Sequence, residues 1–401
     1  MIAVDEALER IVARCLLMPS ESVALTEAAG RVLAADVAAR RTQPPFDVSA
    51  MDGYAVRAGD VGSVPCVLRV VGHAPAGDAF DGSVGAGEAV RIFTGGPVPA
   101  GANAVVLQED TQPGEGTVTV TEAAGLGQHI RRAGIDFREG DILLRDGRVL
   151  TPGTVGLLAA MGVPWADVRR KPRVALLATG DELVRPGETV GPNQIVSSNS
   201  VALKALVERH GGIATDLGIA RDDERSLRAM VEGARGADIL VTIGGASVGD
   251  HDLVKRVLAG VGLEIDFWKI ALRPGKPLIF GRMDGALMLG LPGNPVSAMV
   301  CGLLFLVPMI RAMLGVRPVE LPREQALLGC DLPANRDRQD YMRASLERGD
   351  GRSMPVATPF RTQDSSMISL FANAGALVVR PPHAPAANDG DMVEILPLDG
   401  I

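Results

Sequence analysis

The chain has 401 residues, of which 47% are hydrophobic and 22% charged, a composition typical of a globular protein with two to four domains. Its 40 Lys and Arg residues against 48 Asp and Glu give a net charge of -8, which argues against nucleic acid as a partner. The four cysteines are far apart and form no CxxC pair, so we expect no zinc site and a reducing compartment, the cytoplasm.

The N-terminal residues have the pattern of an amphipathic helix, and we expect no secretory signal because they show neither a basic segment nor an apolar one. Apolar residues recur at helical spacing up to Pro19, which predicts a helix over residues 1–18. The longest apolar stretch, residues 296–310, falls short of the roughly 20 residues that cross a bilayer. We therefore predict that it forms a buried helix and that the protein has no membrane segment.

Residues 45–140 consist of short β-branched runs separated by Gly and Pro, which predicts a β-rich domain. Residues 1–44 and 141–170 on either side share a mixed helix-and-strand character. We expect these two flanks to form one linking α/β domain into which the β-rich domain is inserted.

Apolar strands alternate with helices from residue 171 to 318. This alternation predicts a doubly wound, mostly parallel sheet with helices on both faces. The predicted helices include one at 200–210, one capped by Asp222 or Asp223, one at 253–258 and the apolar helix from Pro295. After residue 318 the helical period disappears, and residues 319–401 are predicted to form a small β domain.

A glycine-rich loop over residues 244–252 follows a predicted strand of this sheet. Ligands of open parallel sheets bind beyond the carboxyl ends of the strands, and paired glycines let backbone N–H groups face an anion. Asp250 and Asp252 add carboxylates, which would repel an oxyanion unless Mg²⁺ lay between them. The alternative is that Asp250 only caps a helix.

Two further loops lie near predicted strand ends. Pro292-Gly293-Asn294-Pro295 opens a helix, and its prolines stiffen either the wall of a ligand site or a simple turn. Arg273-Pro274-Gly275-Lys276-Pro277 places two cations on a stiff loop, which suits a phosphate or carboxylate, although a solvated loop is an equal alternative.

Acids also occur in three other turns, at residues 51–54, 133–136 and 179–183, and Thr94 lies on a glycine-rich bend. Taken singly, each is more often turn chemistry than a functional site. The five histidines show no metal-ligand spacing. No GxSxG, Walker A or GxGxxG pattern occurs, which disfavours serine hydrolysis, P-loop NTP hydrolysis and hydride transfer.

Taken in chain order, these segments resemble one family. The chain resembles the MoeA-type molybdopterin molybdenumtransferases and the E domain of gephyrin in residues 44–55, 91–95, 178–183, the Gly244 loop, 273–277 and 291–297. It departs from the family at Val48, where Asn is usual, and at Val196, where Tyr is frequent. The resemblance implies that the sheet domain is of the molybdopterin-binding type and that the C-terminal β domain is a small barrel.

The resemblance also implies an activity: insertion of molybdate into adenylylated molybdopterin, with release of AMP and with Mg²⁺ as cofactor. The two sulfurs that bind molybdenum belong to the pterin, so the absence of a cysteine pair is expected. The family is homodimeric, and handover of the product to molybdoenzymes or cofactor-processing proteins is implied. The alternatives are a molybdopterin adenylyltransferase and a non-catalytic, gephyrin-like scaffold module.

The family's functional positions can be carried over onto matching residues. The implied catalytic residues are Asp52, Thr94, Asp136, Glu182, Asp222 and Asp252. The implied substrate-binding residues are Gly244, Gly245, Ser247, Arg273, Lys276, Pro292 and Pro295. Glu182, Asp250 and Asp252 are the expected metal ligands, and Arg273 and Lys276 would neutralise phosphate charge.

Overall fold

The computed structural model describes residues 1–245, 257, 260, 262–349 and 354–399. The first helix, α1, spans Val4–Val12 and buries Val4, Ala7 and Ile11. The prediction of a helix over residues 1–18 was therefore too long. Beyond Ala13 the chain leaves the helix, and the Met18 N–H bonds the Met313 carbonyl at 2.8 Å. This long-range bond replaces the next helical turn.

Two short strands, β1 (Ser20–Ala24) and β2 (Val37–Ala38), precede the β-rich region. That region contains β3 (Val48–Ser49), β4 (Gly53–Val56), β5 (Cys66–Ala74), β6 (Glu88–Ile92), β7 (Ala104–Leu107), β8 (Thr111–Pro113), β9 (Thr117–Val120) and β10 (Ile130–Arg131). Within the described ranges, β7-β4-β6-β5-β9-β8 form one sheet, and β10 pairs with β3. Apolar clusters lie on both faces of that sheet.

The chain then returns to its starting neighbourhood. It forms β11 (Ile142–Leu144), α2 (Pro152–Ala160) and β12 (Trp165–Arg169). Thr151 caps α2 with a capping box, and Pro152 occupies its first turn, so local sequence fixes where the helix begins. Because β12 pairs with β1 and β11 with β2, strands from both flanks of residues 45–140 pair with each other.

The next region forms the large sheet. Its elements are β13 (Arg173–Thr179), β14 (Leu183–Val184), β15 (Ile195–Val196), α3 (Asn199–Arg209), β16 (Ile213–Ala220), α4 (Glu224–Glu232), β17 (Ile239–Ile243), β18 (Glu264–Lys269), β19 (Leu272–Arg273), β20 (Pro277–Met283) and β21 (Ala286–Leu291). The strand order in the described part is β16-β13-β17-β21-β20-β18. The first four strands are parallel, which confirms the mostly parallel sheet.

The last two strands depart from the predicted alternation of strand and helix. β20 pairs antiparallel with both β21 and β18. The reason is the connection between β20 and β21, which is the two-residue turn Asp284-Gly285 with both φ angles positive. Such a turn joins antiparallel strands, whereas parallel neighbours need a longer crossover.

A long apolar helix follows the sheet and packs against it. It runs as α5 (Pro295–Cys301), a π-helical segment (Gly302–Leu306) and α6 (Val307–Leu314). Among the described residues it is the one helix long and apolar enough to cross a membrane, but 78% of that stretch is buried inside the protein. This burial confirms the prediction of a core helix.

Apolar cores lie on both faces of the sheet, as a doubly wound fold requires. One core contains α3, α5 and α6. It also takes in α1, although the sequence had assigned residues 1–44 to the linking domain. The other core contains α4. The predicted helix at 253–258 falls almost entirely on residues that the structure does not describe.

The C-terminal region contains β22 (Glu324–Leu328), β23 (Gln339–Glu347), β24 (Val356–Pro359), α7 (Ile368–Ala372), β25 (Ala376–Arg380) and β26 (Met392–Pro397). In the described residues its strands pair in the order β23-β24-β22-β26-β25, and β25 pairs back to β23. The predicted C-terminal β-barrel is thus confirmed as a closed ring. The short strand β19 adds to it by pairing with β23.

Candidate functional site

The candidate site lies along one edge of the large sheet, which we call the carboxyl edge. The parallel strands β16, β13, β17 and β21 all end there. Because β20 runs antiparallel to β21, the loop 270–276 that precedes β20 also lies at this edge. Strand order therefore fixes the order of the loops, as predicted for an open α/β sheet.

One end of this edge, the acidic end, carries Asp181 and Glu182 after β13 and Asp222 after β16. The Asp222 N–H donates to Asp181 Oδ1 at 3.2 Å. Partial burial, together with the negative charges of Asp181 and Glu182, raises the pKa of Asp222. Asp181 and Asp222 border a cavity of about 660 Å³. The crowding of negative charge is what a bound cation would relieve.

The structure separates Asp222 from its neighbour Asp223. Asp223 is the N-cap of α4, and its side chain accepts a hydrogen bond from the Ser226 N–H at 2.7 Å. In the part of the chain that the structure describes, Asp222 makes no such helix contact, and the charges that raise its pKa are those of Asp181 and Glu182. The capping role left open by the sequence therefore belongs to Asp223.

Glycines occupy the centre of the carboxyl edge. Gly244 and Gly245 both have positive φ angles, 90° and 64°, in the conformation that glycine adopts without strain. The Gly244 N–H donates to the Leu291 carbonyl at 3.0 Å. A Cβ at Gly244 would lie 2.8 Å from the Thr179 carbonyl oxygen, so no side chain fits between these loops.

The loop Pro292-Gly293-Asn294-Pro295 follows β21 and is held from two sides. Asn199 Nδ2 donates to the Gly293 carbonyl at 2.7 Å, and Asn294 Nδ2 donates to Ser365 Oγ at 2.9 Å. The Val296 N–H also donates to the Ser365 carbonyl at 3.0 Å. The loop is thus a rigid wall held by α3 and the barrel. Sequence reasoning missed Asn199 and Ser365, which carry no local motif.

The other end of the edge, the cationic end, carries Arg273 and Lys276. The Arg273 side chain is 47% exposed and forms an ion pair with Asp340 on β23, whose side chain is only 4% exposed. Burial raises the pKa of Asp340, while Arg273 opposes that rise. Lys276 is exposed. Sequence reasoning did not anticipate that Arg273 would have a buried acid as its partner.

Two of the implied catalytic residues, Asp52 and Thr94, form a hydrogen-bonded pair in the inserted β domain. Asp52 Oδ1 accepts from the Thr94 N–H at 2.7 Å and from Thr94 Oγ1 at 2.8 Å. These bonds lower the pKa of Asp52, with a smaller contribution from Arg91. The Arg91 guanidinium lies 4.8 Å from the ring centre of Phe93. Asp52 is thus an oriented, charged carboxylate.

Asp136 lies in the same part of the insert, on an exposed turn. The segment around β3 connects the three residues: β10, just before that turn, pairs with β3, and the Ser49 N–H bonds the Gly96 carbonyl near Thr94. Asp47 also accepts a hydrogen bond from the Ala133 N–H at 2.9 Å. One short strand therefore organises all three loops.

Ser247, Asp250 and Asp252 lie outside the described residues. Within the described part of the chain, no three His, Cys, Asp or Glu side chains converge on a position that would hold a metal ion. Glu182, Asp222, Gly244, Gly245, Arg273, Lys276, Pro292 and Pro295 do share the carboxyl edge, whereas Asp52, Thr94 and Asp136 share the insert.

The architecture and the edge define a multidomain α/β protein whose open, mostly parallel sheet presents a candidate ligand site at its carboxyl edge. Three family models match successive parts of the chain: the MoeA N-terminal region (domain I and II) at residues 2–162, the probable molybdopterin binding domain at 175–312, and the MoeA C-terminal region (domain IV) at 325–398. These matches cover the insert, the sheet and the barrel.

Full-length relatives agree with these matches. The molybdopterin molybdenumtransferase of Haemophilus influenzae is 35% identical, with 100% of this chain and 99% of the relative covered. That of Bacillus subtilis is 33% identical, covering 98% of this chain and 94% of the relative. A crystal structure of a molybdopterin biosynthesis MoeA protein from Pyrococcus horikosii has a TM-score of 0.85 at 32% identity and covers 99% of both chains. The chain belongs to the MoeA family of molybdopterin molybdenumtransferases, which are enzymes of molybdenum cofactor biosynthesis.

Proposed function

We propose that this enzyme inserts molybdate into adenylylated molybdopterin and releases AMP. The observation that supports this reaction is the order of charges along the carboxyl edge: acids, then glycines, then cations. Three strand spacings separate the loop after β13 from the loop before β20, which corresponds to roughly 14 Å. A pyrophosphate at the acidic end and an oxyanion at the cationic end can then bind together without competing for the same groups.

The residues of the acidic end fit Mg²⁺ as the cofactor. Carboxylate oxygens are its preferred protein ligands, and one or two of them suffice when phosphates and water complete the octahedron. Glu182, with Asp250 and Asp252, would hold the ion, and Asp222 lies beside Glu182. When bound, Mg²⁺ neutralises charge on the pyrophosphate oxygens.

The chain's own groups divide the remaining work. Glu182 and Asp252 would orient a water that attacks one phosphorus of the pyrophosphate and breaks its bond to the bridging oxygen, so that AMP and the pterin phosphate are the two products and the released proton passes to solvent. Gly244 and Gly245, both with positive φ angles, would present backbone N–H groups to the phosphates. Arg273 and Lys276 bind oxyanion charge, and Pro292 and Pro295 form the wall of the pocket.

The enzyme is proposed to act as a homodimer in which Asp52 and Thr94 complete the partner's site. Their carboxylate and hydroxyl are already oriented towards each other in the insert, although neither belongs to the carboxyl edge. Mixing Asp52→Ala with Asp252→Ala protein should restore part of the activity, because the mixed dimer contains one site with both acids. Absence of any rescue in mixtures shown to exchange subunits would contradict a shared site.

The decisive experiment for the reaction is incubation with adenylylated molybdopterin, molybdate and Mg²⁺, with AMP measured over time. Molybdate-dependent AMP release is expected, and Asp252→Ala should abolish it. An adenylyltransferase would instead consume ATP and molybdopterin and release pyrophosphate, and a scaffold module would turn over neither substrate. The enzyme is proposed to work in the cytoplasm and to hand its product to molybdoenzymes or cofactor-processing proteins.

A further inference from the structure

We infer that Asp340 of the barrel is a positioning residue for oxyanion binding: its buried carboxylate fixes the Arg273 guanidinium at the cationic end. This inference rests on the proposed function, because it assigns Asp340 a part in that same site. Asp340 itself is not placed against substrate. Its effect is transmitted through Arg273.

Backbone pairing brings the two residues together. Arg273 ends β19 and Asp340 lies near the start of β23, and these strands pair in parallel with Arg273 and Asp340 in register. Arg273 Nη2 donates to Asp340 Oδ2. The contact therefore joins the loop of the sheet domain to the barrel at the point where the candidate ligand site begins.

The two partners differ sharply in exposure. The Asp340 side chain is 4% exposed, whereas the Arg273 side chain is 47% exposed. A guanidinium has five N–H donors in one plane, so the bond to Asp340 leaves donors on the exposed side. The bond to Asp340 restricts the rotamers of Arg273 before any ligand binds. Less side-chain entropy is therefore lost when an oxyanion binds.

The ion pair with Arg273 satisfies only one of the two carboxylate oxygens of Asp340, Oδ2. Its Oδ1 atom is buried and has no hydrogen-bond partner in the described structure. A buried acceptor without a partner is costly, so the contact is poorly explained by stability alone. A role in orienting the exposed Arg273 guanidinium explains why only one oxygen of Asp340 has a partner.

The pair does not cancel the positive charge of this region. Arg338 and Arg380 lie close enough to favour the charged form of Asp340, and Arg338 Nη1 donates to the Leu272 carbonyl at 3.5 Å. Lys276 adds a further exposed cation on the same loop. The surroundings of Asp340 therefore retain several positive charges that attract an oxyanion, while Asp340 sets the direction of one of them.

The test is Asp340→Asn, which keeps the shape of the side chain and removes its charge. The matched control is Asp337→Asn, the same charge change three residues earlier at an exposed position. With AMP release as the assay, D340N should raise the KM for molybdate about tenfold, with kcat within about twofold of wild type. Equilibrium dialysis with molybdate alone should show the same loss of affinity, and D337N should match wild type in both measurements.

A double-mutant cycle shows whether Asp340 acts through Arg273. If it does, D340N combined with Arg273→Gln should weaken molybdate binding no more than R273Q alone. Additive losses, or a molybdate KM in D340N equal to that of wild type, would overturn the inference. If D340N does not fold, Asp340→Glu tests the same contact, because the longer side chain displaces the carboxylate from Arg273: the same KM split is expected, and an unchanged KM refutes the inference. A wild-type enzyme that releases no AMP would refute the proposed reaction, whereas molybdate dialysis would still decide the role of Asp340.

Discussion

Replacing Gly275 by alanine should show how tightly the cationic loop is packed. Gly275 lies between Arg273 and Lys276 and has a φ angle of +118°, a region that L residues rarely adopt. A Cβ built at this position would lie 2.6 Å from Cys301 Sγ and 3.1 Å from Leu272 Cδ2. Cys301 is fully buried in the long apolar helix, so neither neighbour can move away freely.

The expected cost has two parts. The backbone conformation costs about 1–2 kcal/mol for a residue with a Cβ, and the overpacking adds about 1–3 kcal/mol. We therefore expect G275A to lower the free energy of unfolding by about 2–5 kcal/mol. Gly285→Ala is the matched control, because Gly285 also has a positive φ, +86°, but no atom lies within 4 Å of its Cβ position. That control should lose only the backbone part.

Urea denaturation of the two variants, followed by circular dichroism, measures the difference. G275A should cost about 1–3 kcal/mol more than G285A. Adding Cys301→Ala to G275A should recover part of that excess, because it removes the atom nearest to the new Cβ. Equal losses in G275A and G285A would refute the packing argument, and so would a G275A/C301A variant that loses the full sum of the single effects.

Asp52, Asp222 and His210 have pKa values that their neighbours shift, and each shift can be tested by substitution. Thr94→Ala should raise the pKa of Asp52 towards 3.8, whereas Thr94→Ser should not, as NMR titration can show. Glu182→Gln should lower the pKa of Asp222 by removing a neighbouring negative charge, and an unchanged NMR titration would contradict the acidic cluster. Burial and nearby arginines lower the pKa of His210 from 6.5 to about 4. The folded state thus favours the neutral imidazole. This preference contributes fully to the free energy of unfolding above pH 6.5, and the contribution is lost as the pH falls towards 4. Between pH 7 and pH 5, the free energy of unfolding should therefore fall by about 1 kcal/mol less in His210→Gln than in wild type, a figure that allows for solvent screening. Urea denaturation of both proteins at the two pH values measures this difference.

Local sequence predicted the fold well where a single element determines its own structure. The long apolar helix begins at Pro295 as predicted, because a proline suits the first turn of a helix. The helix at the N-terminus was overextended, because its end depends on the bond from Met18 to Met313. The Asp284-Gly285 turn was a readable hairpin signal, and it would have predicted that β20 and β21 are antiparallel.

The site was less predictable than the fold, for a physical reason. The rule that ligands bind at the carboxyl ends of strands located the loops, and the preference for Asp at an N-cap limited the cap of α4 to Asp222 or Asp223. Asp340 and Ser365, in contrast, reach the site from the barrel through tertiary contacts. No spacing or propensity near them signals that contact, so only the folded chain reveals it.

These tertiary contacts give the barrel a specific place in the site. The barrel touches the loop at Arg273 through Asp340 and the loop at Asn294 through Ser365. The acidic end is built differently, since Asp181, Glu182 and Asp222 all lie on loops of the sheet domain itself. A substitution in the barrel should therefore weaken oxyanion binding more than it disturbs the groups proposed to bind Mg²⁺. Separate control of the two ends is possible because the sheet keeps them several strands apart.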